Sequence, residues 1–315
     1  MPVTLVTGAA GFVGSHLLPL LAAEGPVVGW YRPGGPAPPS PSGVVWRAVE
    51  LQARDAVRDA LAADRPAAIF HCAGVAHVGD SWAHAEDTLA SNALGTSHLF
   101  DGLEALALRP RVVVTGSATI YKASAAPLTE DSPLAPNTPY GTSKLAQEMI
   151  AIAAWREYGI PAVVTRSFNH IGPGQSPAFA AASFARQLAT IEAGLAAPTI
   201  AVGNLTAERD VTDVRDTVRA YVALMARGRP GVCYNVCSGR AVSVQTLLDG
   251  LRARVRIPVT VATDPARMRP VDTPVIVGNH ARLSADTGWT PAWGLDQTLD
   301  ALLDYWRGEV RSGTA

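Results

Sequence analysis

The chain reads as an α/β protein, a doubly wound parallel sheet with a smaller mixed α/β lobe, and three observations carry that reading. Short β-branched runs alternate with segments of helical apolar spacing through the first half. A glycine-rich turn separates the first of these strands from the first helix. Beyond Ser167, Pro173, Pro177, Pro198 and several glycines break the pattern into shorter elements, as a less regular lobe requires.

Val3-Thr-Leu-Val-Thr7 is predicted as the first strand, and Phe12 to Ala23 as the first helix, stopped by Glu24-Gly25-Pro26. Val27 to Tyr31 forms the next strand. Residues 33–43 are too rich in proline and glycine for regular structure, and a third strand precedes Glu50. A helix near 52–64, a strand from Ala67 to His71, a helix near 85–106 and the strand Arg111-Val-Val-Val-Thr115 continue the alternation. A helix from Pro139 to Tyr158 and a strand from Ala162 to Arg166 extend it. Because each crossover must return over the sheet, such units imply parallel strands covered on both faces. The strand Val232 to Val236 is expected to rejoin this sheet. The expected division is therefore 1–166 with a returning segment at about 210–237, and a second lobe made of 167–209 and 238–315.

With 315 residues, 48% hydrophobic and 17% charged, the composition is that of an ordinary folded protein able to bury a substantial core. Basic and acidic side chains nearly cancel, 26 against 27, so there is no broad field to attract nucleic acid or an anionic membrane, and neither is expected as a partner. Any phosphate must be met by local arginines. Cys72, Cys233 and Cys237 lack paired spacing, which fits reduced thiols. Cys233-Tyr-Asn-Val-Cys237 alternates like a strand, so burial is favoured over metal binding and no metal is expected. No basic leader is evident, and no apolar stretch reaches the ~18 residues needed to span a bilayer, so a cytoplasmic protein is expected.

Gly8, Gly11 and Gly14 follow a strand and open a helix. Absent side chains there let the backbone approach a pyrophosphate at the positive end of the helix, so the loop, Phe12 and Val13 included, is assigned to a dinucleotide. Where an acidic residue would hold the ribose 2′-hydroxyl of NAD, this chain has Trp30-Tyr31-Arg32. Arg32 suits a 2′-phosphate, which favours NADP(H) with NAD(H) still possible; the alternative is a solvated arginine starting a loop. Glu50 and Leu51 either border the adenine or lie at a charged surface position. Tyr140 and Lys144, four apart on a helix, share a face, so the ammonium is expected to lower the tyrosine pKa. Ser117, just past a strand end, is placed to hydrogen-bond the same substrate oxygen.

These residues resemble the extended short-chain dehydrogenase/reductase family of nucleotide-sugar epimerases, dehydratases and reductases. The resemblance runs through Thr7-Gly-Ala-Ala-Gly-Phe-Val-Gly14, His71-Cys-Ala-Gly74, Asn92-Ala-Leu-Gly95, Ser117-Ala-Thr-Ile-Tyr121 and Tyr140-Gly-Thr-Ser-Lys144. It implies a Rossmann domain with a substrate lobe, sheet-end cofactor contacts from Cys72, Ala73, Gly74 and Asn92, and a catalytic trio of Ser117, Tyr140 and Lys144. Arg166-Ser-Phe-Asn-His-Ile-Gly-Pro-Gly-Gln175, Gly203-Asn-Leu-Thr-Ala-Glu-Arg-Asp210 and Asp264-Pro-Ala-Arg-Met-Arg-Pro-Val-Asp272 resemble the branch of GDP-mannose 4,6-dehydratases and GDP-4-keto-6-deoxy-mannose reductases. That branch implies Asn169 at the diphosphate, Arg209 and Arg269 at phosphate or ribose, Asp272 at the nucleotide and Arg186 as a further phosphate contact. Its dehydratases carry a glutamate, or an acidic pair, two residues after the catalytic serine or threonine. This chain has Thr119 there, too weak a base for water elimination. Lys122 stands where many relatives carry glycine. The resemblance thus implies an NADPH-dependent reductase making GDP-D-rhamnose, ahead of a 4-epimerase and then a dehydratase. Redox-sensing relatives typically lose the tyrosine or lysine, and both are present. A homodimer through the helices near 85–106 and 139–158 is also implied.

Overall fold

The computed structural model describes residues 2–34, 43–76, 78–268 and 274–313. Alternating strands and helices come first: β1 (Thr4–Thr7), α1 (Phe12–Ala22), β2 (Val27–Tyr31), β3 (Val44–Ala48), α2 (Arg54–Asp64), β4 (Ala68–His71), α3 (Ala85–Leu89), α4 (Gly95–Ala105), β5 (Arg111–Ser117), α5 (Pro139–Tyr158) and β6 (Ala162–Ser167). Then follow β7 (Asn169–Ile171), α6 (Ala180–Glu192), β8 (Thr199–Val202), β9 (Glu208–Asp213), α7 (Val214–Arg227), β10 (Cys233–Val236), β11 (Ala241–Ser243), α8 (Val244–Arg252), β12 (Thr260–Thr263), β13 (Val275–Ile276), α9 (Ala281–Thr287) and α10 (Leu295–Ser312).

Seven parallel strands form the main sheet in the order β10-β6-β5-β4-β1-β2-β3. Successive strand residues face opposite sides, and each side buries its own core. Leu5, Val112, Val114 and Val164 pack with Leu61, Leu99, Phe100 and Ala151 of α2, α4 and α5. On the other side Val6, Val113 and Val163 meet Leu17, Val218, Tyr221 and Leu224 of α1 and α7, joined by Leu283 and Trp289 on and after α9. The doubly wound sheet is therefore present as the alternation implied, and β10 closes its edge by pairing with β6, Cys233 opposite Val164.

Outside this sheet, β9 pairs with β7, β11 and β13, and β8 pairs with β12. A third core forms there from α6, α8 and α10, with Leu188, Leu248, Leu302 and Trp306 buried. Among the described residues no helix is long and apolar enough to cross a membrane.

Two elements differ from expectation. The helix near 85–106 is interrupted by a π-helical turn at Ala90–Leu94, whose wider ring turns Asn92 inward. Strand β5 continues through Ser117, because its pairing with β6 persists to Ser117 opposite Ser167. Ser117 is thus the last strand residue and is held by the sheet.

Helix α5 starts where local chemistry dictates. The Thr138 side chain accepts from the Gly141 N–H at 3.0 Å, Pro139 occupies the first turn, and Gly159 ends the helix in the left-handed region at φ 66°. Its depth on the sheet is set by Glu148, which receives Arg166 Nε at 2.9 Å and Nη2 at 2.7 Å, both side chains being buried. Removing one partner strands a buried charge. Glu148→Ala is expected to lower the unfolding free energy by about 3–5 kcal/mol, and Glu148→Leu combined with Arg166→Met to recover part of that loss. Denaturant titration reads both; equal losses in the single and double variants would refute the pairing.

Candidate active site

At the C-terminal end of β1 the backbone turns back on itself. Gly8 has φ +64°, and a β-carbon there would stand 2.7 Å from Ala73 Cα. A side chain at Gly14 would press on Gly8 O and Ala9. Gly11 caps α1 without a side-chain hydrogen bond, so the helix presents its first N–H groups to the turn. A cradle that bare of side chains, at a helix N-terminus, fits a pyrophosphate. Val13 follows in the first turn of α1. Phe12 stacks on His170 of β7 with centroids 5.8 Å apart and meets His16 edge-on at 5.6 Å, while His16 Nε2 lies 2.8 Å from Pro173 O. The second lobe thus touches the loop directly.

Beside the cradle, at the end of β2, Arg32 leaves 85% of its side chain exposed and stands 3.8 Å from the Glu50 carboxylate. Glu50 also accepts from Gln52 N–H at 3.1 Å, and the Leu51 carbonyl lies 2.9 Å from His98 Nδ1. An exposed guanidinium can pair with a phosphate and a carboxylate can accept from a hydroxyl.

At the end of β4, Cys72 and Ala73 donate their N–H groups to Thr7, to its carbonyl and its Oγ1, both at 3.2 Å. Gly74 follows at φ +145°, where a side chain would strike Asn92 Oδ1. Asn92 itself corrects an expectation. It is fully buried, its Oδ1 accepts from Val75 N–H at 2.8 Å, and its Nδ2 donates to Val75 O at 3.2 Å and Ser143 Oγ at 2.9 Å. With the amide consumed inside the protein, Asn92 shapes the loop that carries Gly74 and does not offer its side chain to a cofactor.

Ser117, Tyr140 and Lys144 come together from β5 and α5, each at most 8% exposed. Ser117 Oγ lies 3.0 Å from Thr119 Oγ1 and accepts Thr119 N–H. Lys144 Nζ donates to Thr115 O at 2.9 Å and Gln147 Oε1 at 2.8 Å, and stands 6.0 Å from the Tyr140 ring centroid. Burial raises the Tyr140 pKa, with the Ser117 hydrogen bond opposing it. The expected lowering by Lys144 is therefore not found, because burial outweighs any influence of an ammonium turned toward Thr115 and Gln147. Burial pulls Lys144 down to about 8, the Cys72 side chain acting in the other direction. The Cys72 thiol is pushed up to about 12 by burial, which Lys144 partly offsets.

Of the residues assigned to a substrate, Asn169 is exposed at the start of β7, Arg186 is exposed on α6, and Arg209 lies half-buried in β9 with Nη1 on Glu208 O at 2.8 Å. Arg269 and Asp272 fall outside the described residues. Sequence reasoning missed His71, Thr96 and Gln147, which connect Thr7 to Lys144 by contacts of 2.8–2.9 Å. Helical spacing was the available signal, since Thr96 is four residues after Asn92 and Gln147 three after Lys144.

A model of the NAD dependent epimerase/dehydratase family matches residues 4–237. The chain is 36% identical over 309 residues to the GDP-6-deoxy-D-mannose reductase of Pseudomonas aeruginosa, covering 97% of each. Its fold is similar to that of RMD from Pseudomonas aeruginosa complexed with NADPH, with a TM-score of 0.86, 32% identity and coverage of 98% of this chain and 100% of that one. It is also similar to the UDP-glucose 4-epimerase of Thermus thermophilus in complex with NAD, with a TM-score of 0.86, 26% identity and coverage of 97% and 99%.

Asn92→Ala is expected to leave both Val75 backbone groups short of partners and to cost about 1–3 kcal/mol in a denaturant titration. An unchanged midpoint would show that the amide does not hold the loop.

Proposed function

The chain belongs to the NAD dependent epimerase/dehydratase family, and from that premise we propose that it reduces the 4-keto group of a GDP-linked 4-keto-6-deoxy sugar with NADPH, converting GDP-4-keto-6-deoxy-D-mannose to GDP-D-rhamnose. The observation that carries this reading is the site itself. It holds a buried phenol with its proton retained beside a serine and an ammonium, and Thr119 meets Ser117 where a carboxylate would be needed to remove a carbon-bound proton. Similarity along 97% of the chain to a GDP-6-deoxy-D-mannose reductase supports the substrate class.

NADPH, when bound, supplies the hydride. The glycine turn would hold its pyrophosphate, Phe12 and Val13 would line the loop, and Arg32 would take the 2′-phosphate, with Glu50 leaving NAD possible. Cys72, Ala73 and Gly74 would form the floor at the sheet end, and Lys144 would hold the ribose. Tyr140 hands its proton to the ketone oxygen as charge develops there, Ser117 donates a second hydrogen bond to that oxygen, and the Lys144 ammonium stabilises the resulting phenolate. Asn169, Arg209, Arg186, Arg269 and Asp272 are assigned to the nucleotide sugar. In this reading 1–166 with 210–237 binds the cofactor, and 167–209 with 238–315 binds the substrate.

We place the protein in a reducing cytoplasm, in keeping with free Cys72, Cys233 and Cys237. A homodimer is also proposed. Leu89, Ala93, Leu94 and Ile150 line an apolar groove, next to a Met149 that is 63% exposed, and a second copy would cover it. Leu94→Glu is expected to give monomers in sedimentation; an unchanged assembly would exclude this face.

The deciding measurement is NADPH oxidation with GDP-4-keto-6-deoxy-D-mannose. No oxidation would overturn the reductase assignment, and conversion of the sugar without net oxidation would make it an epimerase. Tyr140→Phe should slow turnover by about 10²–10⁴-fold with cofactor affinity retained. Arg32→Ala should weaken NADP more than NAD. Lys144 is charged below about 8 and loses its proton as pH rises through that value, so turnover should fall on the alkaline side.

A further inference from the structure

We propose that Gln147 is a positioning residue for Lys144: its side-chain amide, locked by Thr96 and His71, holds the ammonium between the Thr115 carbonyl and the Tyr140 ring. The inference rests on the proposed use of Lys144 in the reaction. The Thr96 hydroxyl has one proton and stands 2.6 Å from the Asn92 carbonyl, which can only accept. That proton is therefore spent. Thr96 Oγ1 must accept from its two remaining neighbours, Gln147 Nε2 at 2.8 Å and His71 Nε2 at 2.9 Å.

Two assignments follow. His71 carries its proton on Nε2, so Nδ1 accepts from the Thr7 hydroxyl at 2.8 Å, and Thr7 Oγ1 in turn accepts from Ala73 N–H at 3.2 Å. This requires a neutral ring, and burial, reinforced by the charge of Lys144, takes His71 down to about 3. Gln147, for its part, must turn Nε2 to Thr96 and Oε1 to Lys144. The flipped amide would set NH₂ against NH₃⁺ and a carbonyl against a hydroxyl with no proton to give. The orientation at Lys144 is thus dictated by the Asn92 main-chain carbonyl through the Thr96 hydroxyl, the same choice that fixes His71 and Thr7; Thr7, His71, Thr96 and Gln147 are all fully buried.

The titratable groups facing Lys144 are His71 of β4, Cys72 just after that strand, and Tyr140 from its own helix; Thr115 of β5, Asn92 and Thr96 of the helical run beside it, and Gln147 are neutral. At neutral pH none of these bears a negative charge. Two dipoles, the Thr115 carbonyl and the Gln147 amide, hold the ammonium, so changes at 147 act on it directly.

The chain has two lysines, Lys122 and Lys144, so lysine labelled with ¹³C at Cε and ¹⁵N at Nζ yields two NMR signals, exposed Lys122 serving as the internal reference. Titrations without substrate are compared for wild type, Gln147→Glu, Gln147→Leu, Thr96→Val and Thr96→Ser. Gln147→Glu is expected to raise the Lys144 midpoint by about 1–2 pH units, and Gln147→Leu and Thr96→Val to lower it. Thr96→Ser should keep the wild-type value. The alkaline limb of turnover should move in the same direction as each midpoint. Midpoints that stay at the wild-type value, or that move the same way in Gln147→Glu and Gln147→Leu, overturn the proposal. Should Gln147→Leu fail to fold, Gln147→Glu and Thr96→Val still decide it. Wild-type protein that oxidises no NADPH would defeat the assigned reaction alone, since the substrate-free titrations would still test the role of Gln147.

Discussion

The buried pair between Arg166 and Glu148 is the constraint on which the site depends. Tyr140, Lys144, Gln147 and Glu148 lie along one face of α5, so whatever sets the rotation and depth of Glu148 sets the other three. A bidentate contact is suited to this because it resists twisting as well as separation. Arg166 also donates to Tyr121 Oη at 3.0 Å and Glu130 O at 2.8 Å, and Tyr121 donates to Asn235 Oδ1 at 2.6 Å, so β6, β10 and the 121–130 segment share one hydrogen-bonded hub. Charge is used for anchoring one turn beyond Lys144, and kept away from it.

That separation explains how an ammonium survives out of water. A carboxylate next to Lys144 would hold it firmly but would keep it charged and occupied. Neutral acceptors satisfy two of its donors without neutralising its charge. The cost is a pKa lowered by burial, which the Cys72 side chain partly offsets.

Much of this is legible in the sequence alone. The short β-branched runs around Leu5, Val112 and Val163, alternating with helical segments, signal a sheet buried on both faces, and the strand-turn-helix around Gly8, Gly11 and Gly14 marks the cradle. Tyr140 and Lys144 were readable because four residues on a helix is a contact distance. What escaped were features decided by tertiary burial. No local pattern shows that Asn92 spends its amide on Val75 and Ser143, that Ser117 remains in the strand, or that burial raises Tyr140 against the Ser117 hydrogen bond. His71, Thr96 and Gln147 come from three separate segments, and the fold alone brings them into line.

The edge strand β10 carries a consequence for the modularity of this protein. All six residues of β6 are buried, and their outer backbone edge is covered by a strand that arrives only after β7, α6, β8, β9 and α7. A truncation made after β6, in the hope of isolating a minimal nucleotide module, would bare a hydrophobic parallel edge ready to recruit other chains. The two halves are therefore interdependent, and recombining either with a foreign partner would require transplanting β10 along with the sheet it completes.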